Sequence, residues 1–240
     1  KSCGSVSWLD DIAKLTHLVE QGGSRRGAQM IMLADWHPDI LEFIISKVQN
    51  PRILRYLIEN SADEQIKSLA QENLKFTGFS ASELEMYETI AQHDKSPGHG
   101  GFSDNVIRNA KQKVRDGGTY AVQNPEFLTG ANISVTLTDD FMDAVERDEM
   151  WTLRFPDTEN YTEEEMADYN EKWADVGDVR EWEAMGYAIR TYRQIPAREL
   201  WNLINICATY SAEPGIFFID NANQDTNAQA YGQKVVATNP

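Results

Sequence analysis

The chain has 240 residues, 41% of them hydrophobic, which is enough to bury the core of one large domain or two small ones. Its 38 acidic and 22 basic side chains give a formal net charge of −16, which excludes general binding to nucleic acid or to an anionic membrane surface. Apolar runs are far shorter than the roughly 18 residues that span a bilayer, so we expect a soluble, cytoplasmic protein.

Helix signals recur along the chain. An amphipathic pattern begins at Ser7 and ends near Gly22, and His37-Pro38-Asp39 predicts a second helix with Pro38 at its first position. Further helices are predicted from Ser103 to Gly117, over 139–149 and over 197–210. Three pairs match the capping box, in which a hydroxyl and a glutamate satisfy free backbone donors: Ser61 with Glu64, Ser80 with Glu83, and Thr162 with Glu165.

Short apolar segments between the helices predict strands. Because helical sequence or loops separate them, the alternation favours an α/β fold with a largely parallel sheet. The five segments are Gln29–Leu33, Ile133–Leu137, Trp151–Phe155, Ile216–Ile219 and Lys234–Ala237.

Two stretches predict additions to this sheet. Residues 50–127 contain several helix patterns and no convincing strand, and therefore predict a helical insertion. Residues 157–183 hold eleven Asp and Glu against Lys172 and Arg180. This acidic insertion predicts a solvated helical face, with a surface for a partner as the alternative.

The segment Gln21-Gly22-Gly23-Ser24-Arg25-Arg26-Gly27-Ala28 is the first candidate site. Glycines let the backbone approach a ligand closely, and arginine offers a permanent charge and a planar fork of donors. The segment therefore suits a small anionic or nucleotide-like ligand despite the negative net charge. The alternative is a pair of glycines that ends a helix, followed by surface arginines.

Other polar residues have a structural and a functional interpretation. His37 either acts as a base or, with Asp39, begins a helix, and the helix start is favoured. Asp220, Asn221 and Asn223 follow a buried strand, where α/β folds place ligand sites, but they could equally bond the turn backbone. Cys207 lies in an apolar helix pattern typical of a core, and no metal site is predicted because no Cys or His spacing suits one.

Several segments, in order along the chain, resemble the catalytic subunit of ribonucleotide reductases. Segment 21–28 and Trp36-His37-Pro38-Asp39-Ile40 resemble its central part, and 3–8 is similar to the family's Ser-Gly-Pro-Val-Ser-Phe. The final Ala237-Thr238-Asn239-Pro240 resembles Ala-Thr-Asn-Pro-Cys-Gly-Glu without its last three residues. Further matches are Phe43, Ile44, Lys47, Asn132–Val135, Asp140–Met142, Ala197–Trp201, Glu213–Ile216 and Phe218–Asp220.

The resemblance implies a fold and an activity. The fold would be part of a ten-stranded α/β barrel, with residues 1–240 as a partial barrel domain that carries helical insertions at 50–127 and 157–183. The complete enzyme would reduce ribonucleotides to 2′-deoxyribonucleotides by thiyl-radical chemistry. The adenosylcobalamin-dependent type is most similar. Alternatives are the large subunit of an iron-dependent reductase and a non-catalytic nucleotide-binding module of the same fold.

The resemblance also implies roles for individual residues. Asn239 would contact the ribose, while the radical cysteine and its glutamate would follow Pro240, so we expect this fragment alone to be inactive. Gln21, Gly22, Gly23, Ser24, Arg25, Arg26 and Gly27 would form the loop that relays the identity of a bound dNTP effector to the substrate base. Implied partners are the ribonucleotide, the effector, a thioredoxin-like reductant, the remaining segments of the enzyme and a second copy in a homodimer. Cys3 and Cys207 receive no redox role.

Overall fold

A computed structural model describes residues 4–18, 20–21, 25–92 and 101–239. Its helices are α1 Gly4–Leu18, α2 Ile40–Ser46, α3 Pro51–Asn60, α4 Glu64–Glu72, α5 Ala81–Gln92, α6 Asp104–Asp116, α7 Asp139–Arg147, α8 Glu163–Val176, α9 Val179–Ala184, α10 Ala197–Ser211 and α11 Ile219–Asp225. Its strands are β1 Glu20–Gln21, β2 Arg25–Arg26, β3 Met30–Ala34, β4 Leu74–Gly78, β5 Gly118–Val122, β6 Asn132–Leu137, β7 Met150–Pro156, β8 Ile189–Pro196 and β9 Gly215–Phe218.

A parallel sheet with strand order β3-β6-β9 lies at the centre of the described fold. Met30 pairs with Asn132 at one end of the first two strands, and Leu137 pairs with Phe218 at the other end of the next two. Helices connect the strands, so the α/β class predicted from the sequence is confirmed. Three of the five predicted strands form this sheet, within one or two residues of their predicted bounds.

The other two predicted strands differ from expectation. The segment at Trp151–Phe155 is a strand, but it pairs antiparallel with β8, which the sequence did not predict. The prediction of a strand over Lys234–Ala237 is wrong, because this segment pairs with no strand in the described part of the chain. The backbone N–H and C=O of Val235 instead bond the side-chain amide of Asn223, at 2.7 and 3.0 Å.

The hydrophobic core fills the space between the sheet and helices α2, α3, α7 and α10. Helix α2 is its centre, since Ile40, Leu41, Phe43, Ile44 and Ile45 are all fully buried. Such complete burial explains why the helix needs little capping: Asp39 precedes it without a side-chain cap. The helix begins at Ile40, two residues later than predicted from Pro38.

Local capping signals were largely correct. Thr162 and Glu165 form the predicted capping box of α8, and Ser80 exchanges hydrogen bonds with Glu83 before α5. The predicted box at Ser61 is wrong, because the Asp63 carboxylate caps α4 by accepting from the backbone N–H groups of Gln65 and Ile66. Ser7 lies inside α1, which begins at Gly4.

Residues 50–127 are mainly helical but include an antiparallel ribbon of β4 and β5, so the expectation that they lack strands is wrong. Four of the five residues of β4 are exposed, and an exposed strand gives no alternating apolar signal. A Cβ at Gly118 would lie 2.4 Å from the Thr77 carbonyl oxygen, so the close pairing of the ribbon requires glycine there.

The acidic residues 157–183 form α8 and α9, as predicted, and cover an aromatic cluster. Trp182 is fully buried and stacks on Tyr187 with ring centroids 4.1 Å apart. Tyr169 and Trp173 stack beside them at 5.7 Å. The acidic side chains Glu163 and Glu164 are exposed, so the helical segment carries charge outside and rings inside. No helix within the described ranges has the length and apolar character that a membrane crossing requires.

Candidate functional site

A cavity of about 250 Å³ lies at the carboxyl ends of the three parallel strands. Ala34 ends β3 at its wall, Thr136 and Thr138 contribute from the end of β6, and Asp220 follows β9. α/β folds bind ligands at this end of the sheet because loops with polar side chains converge there. The C-terminal segment covers the cavity through Lys234, Val235 and Val236.

An arginine held between two carboxylates forms the polar wall of the cavity. Arg180 donates to Asp220 through both terminal nitrogens, at 2.7 and 2.9 Å, and to Asp178 at 2.7 Å. The hydrogen bond from Arg180 holds the pKa of the Asp220 carboxyl below its ordinary value, although partial burial opposes this shift. Asp178 also caps α9 by accepting from the backbone N–H of Arg180. The charges of this wall are therefore already paired within the protein.

A third carboxyl group, that of Asp35, is fully buried near this wall. Its Oδ2 accepts from the backbone N–H and the hydroxyl of Thr138, at 2.6 and 3.0 Å. Its Oδ1 has no hydrogen-bond partner among the described atoms. Burial raises the pKa of Asp35 to about 7, against the lowering effect of the Thr138 hydrogen bonds. The Asp35 carboxyl therefore links the end of β3 to the end of β6. Its raised pKa also means that its charge changes near neutral pH.

The C-terminal segment runs from the cavity back along β3. Lys234 is tied to Glu181 at 2.7 Å, and Asn223 holds Val235 by the two bonds given above. Val235 and Val236 line the cavity beside Ala34, whereas the backbone N–H of Thr238 lies 3.2 Å from the Sδ of Met32. The segment therefore passes antiparallel to β3, toward the end of that strand at which β2 enters.

The predicted glycine–arginine loop stands at that opposite end of β3. Glu20 and Gln21 pair antiparallel with Arg26 and Arg25, and Gly27 leads toward Met30. Residues 22–24 lie outside the described residues. Helix α1 ends at Leu18, and the two-residue strand β1 lies between it and this glycine segment. Asn239 is exposed at the end of the described chain, just beyond the contact of Thr238 with Met32.

The remaining candidate residues make contacts within the fold itself. His37 accepts the backbone N–H of Asp39 at 3.0 Å through Nδ1 and packs edge-on to Phe155, and burial lowers its pKa. Asn223 bonds the backbone of Val235, twelve residues away, rather than the backbone of its own turn, which was the second interpretation. Cys207 is fully buried, and burial raises the pKa of its thiol to about 12, in agreement with the predicted core position. Cys3 lies outside the described residues.

The family assignment comes from comparison with known proteins. The family model described as "Ribonucleotide reductase, barrel domain" matches residues 1–240. The chain belongs to the ribonucleotide reductase family.

Individual relatives indicate which members are similar. A vitamin B12-dependent ribonucleotide reductase of Bradyrhizobium diazoefficiens is 25% identical over 100% of this chain, and one of Agrobacterium fabrum is 26% identical over 100% of it. A vitamin B12-dependent ribonucleoside-diphosphate reductase of Thermoplasma acidophilum is 23% identical over 99% of the chain. The chain spans only 17–18% of the length of these relatives.

Two residues of the site were not singled out from the sequence. Arg180 was noted only as one of two cations in an acidic stretch, and its partner Asp220 is 40 residues away. Asp35 had a usable signal, since it follows an apolar strand just as Asp220 does. Both Asp35 and Asp220 are carboxylates that follow parallel strands, and this shared position is a signal from which both could have been assigned to one site.

Proposed function

We propose that the complete polypeptide to which this chain belongs reduces ribonucleotides to 2′-deoxyribonucleotides by thiyl-radical chemistry that depends on adenosylcobalamin. The family match over the whole chain supports the reaction class, and the three relatives, which are named as vitamin B12-dependent reductases, support the cobalamin type. The chain would form part of a ten-stranded barrel, of which β3, β6 and β9 supply three parallel strands. Residues 50–127 and 157–183 would be insertions on that barrel.

The course of the C-terminal segment is the observation that carries this proposal. It runs along β3 toward β2, so Asn239 and the described residues 25–27 lie toward the same end of the strand. We propose that Asn239 contacts the ribose and that Gln21–Gly27 contacts the base, with Arg25 and Arg26 ordering the loop or binding the substrate directly. A ribonucleotide would then lie between a segment that positions the sugar and one that selects the base.

The cofactor would supply the initiating radical when it is bound to the complete protein. Within the described part of the chain, no cluster of three or more His, Cys, Asp or Glu side chains is arranged to hold a metal ion. We therefore assign no residue of this chain to the cofactor. The contribution proposed for these residues is to bind and orient the nucleotide.

The proposed partners are a dNTP effector, a thioredoxin-like reductant and a second copy of the polypeptide in a cytoplasmic homodimer. Helix α1 supports the dimer. Trp8, Ile12 and Leu15 follow one another at helical spacing and are 69%, 43% and 58% exposed, while Val6 and Ala13 on the other side are buried. An exposed apolar stripe of this kind is typical of a helix that packs on a partner.

The direct test measures deoxyribonucleotide formation by the complete polypeptide with a dithiol reductant, with and without adenosylcobalamin. Turnover only with the cofactor is the expected result. Turnover with iron and no cobalamin would identify the iron-dependent alternative, and nucleotide binding without any turnover would identify the non-catalytic one. The 240 residues alone should form no product under any of these conditions, and product from them would contradict the proposal.

Two variants separate the proposed roles. Asn239→Ala should lower kcat for all four substrates, because a ribose contact is common to them. Arg26→Gln should instead change the ratio of kcat/KM among the substrates. Arg147→Gln is the matched control, since Arg147 pairs with Asp143 on the outer surface of α7 and should alter neither quantity.

A further inference from the structure

We infer that a groove in residues 50–127, away from the cavity described above, binds a ligand with two or more phosphate groups. Helix α3 forms one wall, the pair α5 and α6 forms the other, and β5 forms the floor. The groove has a volume of about 760 Å³, within the range of about 300–1,000 Å³ that is typical of small-molecule sites. Neither the family match nor the names of the relatives assign a ligand to it.

The charge of the groove is opposite to that of the protein. Its lining holds three cations, Arg52, Arg55 and Lys113, and one anion, Asp116. The chain as a whole carries a formal charge of −16, so this is a local positive field on an acidic molecule. Local fields of this kind concentrate anions regardless of net charge.

The cations lie on facing walls and two of them are held in place by aromatic rings. Arg55 lies over the ring of Tyr120 at 4.3 Å, and Lys113 lies over the ring of Tyr87 at 4.5 Å and donates to its hydroxyl at 2.7 Å. Arg52 and Arg55 are three residues apart on α3 and therefore share a face of the helix. A ligand between the walls would meet fixed donors on both sides, which lowers the entropy cost of binding.

The ion pairs inside the groove leave capacity for a ligand. Arg55 reaches Asp116 only at 3.3 and 3.4 Å, at the long end of the hydrogen-bond range, and its distance to Glu59 is 3.9 Å. Arg52 is exposed and, among the described residues, has no carboxylate partner. Arg52 and Arg55 on one wall and Lys113 on the other carry three positive charges, which a ligand with several negative charges matches better than a single carboxylate does.

The apolar part of the lining limits what the ligand can be. Ile90, Val106 and Ala110 contribute carbon surface, and Asn109 adds a neutral amide. Each tyrosine ring already has an aromatic neighbour as well as a cation, because Phe76 lies 4.8 Å from Tyr120 and Phe79 lies 4.9 Å from Tyr87, both pairs tilted. The ligand is therefore recognised by its phosphates, and both a free nucleotide and an inorganic polyphosphate carry them.

The test is calorimetric titration of the complete polypeptide with inorganic tripolyphosphate and, separately, with ATP, at low and at moderate salt. The double variant Arg52→Gln/Lys113→Gln should weaken tripolyphosphate binding by about tenfold or more, because each lost cation removes a charge-assisted contact. Asp116→Asn should tighten binding several-fold, since it removes the one anion from the groove. A variant that only damaged the fold would weaken binding, so tighter binding by Asp116→Asn cannot come from such damage.

Two controls assign the binding to this groove. Arg147→Gln removes a paired surface cation elsewhere and should leave the affinity unchanged. Arg25→Gln changes the loop proposed to select the substrate. If tripolyphosphate binding is lost in Arg25→Gln but not in the groove variants, the proposed function remains intact and this inference is overturned. Unchanged affinity in the double variant, or weaker binding in Asp116→Asn, would also overturn it. Binding of both ATP and tripolyphosphate, with ATP the tighter and both weakened in the double variant, would support the site and identify a nucleotide as its source of phosphate. Binding of ATP but not of tripolyphosphate would overturn the inference, because the phosphates alone would then not be recognised.

Discussion

Asp220 accepts hydrogen bonds from both terminal nitrogens of Arg180 and from the backbone N–H of Asp139, the last at 2.8 Å. The Asp220 carboxylate thus joins the start of α11 to the start of α7 and to the acidic insertion. The side chains of Asp220 and Arg180 are 19% and 25% exposed, so water only partly screens the pair. The geometry of the cavity at the strand ends depends on this contact.

Replacement of Asp220 by Asn should lower the free energy of unfolding by about 1–3 kcal/mol, because it leaves Arg180 partly buried with one carboxylate fewer. Urea denaturation measures this difference. Asp140→Asn is the matched control, since Asp140 contacts the same arginine at 3.5 Å but is 65% exposed, and it should cost less than about 0.5 kcal/mol. Equal effects of the two variants would contradict the role given to Asp220.

The stabilisation from Asp220 should also depend on pH. Arg180 lowers the pKa of this carboxyl in the folded protein, so the contribution is present above its ordinary pKa and is lost as the pH falls through the lowered value. Urea denaturation of the parent and of Asp220→Asn across pH 2–6 should therefore show the two stabilities converging in acid. A constant difference at every pH would be evidence against this pair as its source.

Asp35 should show the opposite pH dependence. Its pKa is raised to about 7 in the folded protein, from an ordinary value of 3.8, so the protonated carboxyl is favoured by folding. Its contribution is complete below pH 4 and is lost as the pH rises to about 7, with a total change of up to roughly 4 kcal/mol. Asp35→Asn keeps an acceptor for Thr138 and carries no charge, so its stability relative to the parent should increase over this range. If the two pH profiles remain parallel, Asp35 does not titrate in this way.

Removal of the Asn223 side chain should release the C-terminal segment. Asn223→Ala loses both hydrogen bonds to Val235, at a cost of about 1–2 kcal/mol, and should increase hydrogen exchange at the Val235 amide. In the complete polypeptide it should also lower kcat, because this segment leads to Asn239. Asn221→Ala, at an exposed position of the same helix, serves as the control. Fast exchange of the Val235 amide in both variants, or in neither, would contradict the role given to Asn223.

The exposed face of α1 should control self-association. Leu15→Glu places a charge in the apolar stripe and should weaken the dimer of the complete polypeptide at least tenfold, as measured by sedimentation equilibrium. Asp11→Asn alters an exposed neighbour, 76% accessible, without changing the stripe and should leave the dimer intact. A monomer–dimer equilibrium unaffected by Leu15→Glu would place the interface elsewhere.

Local signals in the sequence predicted much of the secondary structure. Thr162 and Glu165 identify the start of α8 because a capping box needs only four consecutive residues. The strands β3, β6 and β9 were predicted because they are continuous apolar runs, as the strands of parallel sheets often are. Of the three, only β6 is buried along most of its length, and Ile216 and Phe218 of β9 are 37% and 42% exposed. The strands of the antiparallel ribbons were not all predicted, because an exposed strand has no regular apolar pattern. β4 is exposed along most of its length, and β8 is buried on only part of one face.

The sequence by itself determined most of the helices, the three parallel strands, the α/β class and, through motifs spread over the whole chain, the family. These features depend on residues that are neighbours in the chain and on short sequence motifs. Only the tertiary structure decided that Arg180 pairs with Asp220, that Asp35 is buried against Thr138, and that Asn223 rather than a strand satisfies Val235. Such contacts join residues 12 to 103 positions apart, and their energies come from burial and geometry that no local pattern records.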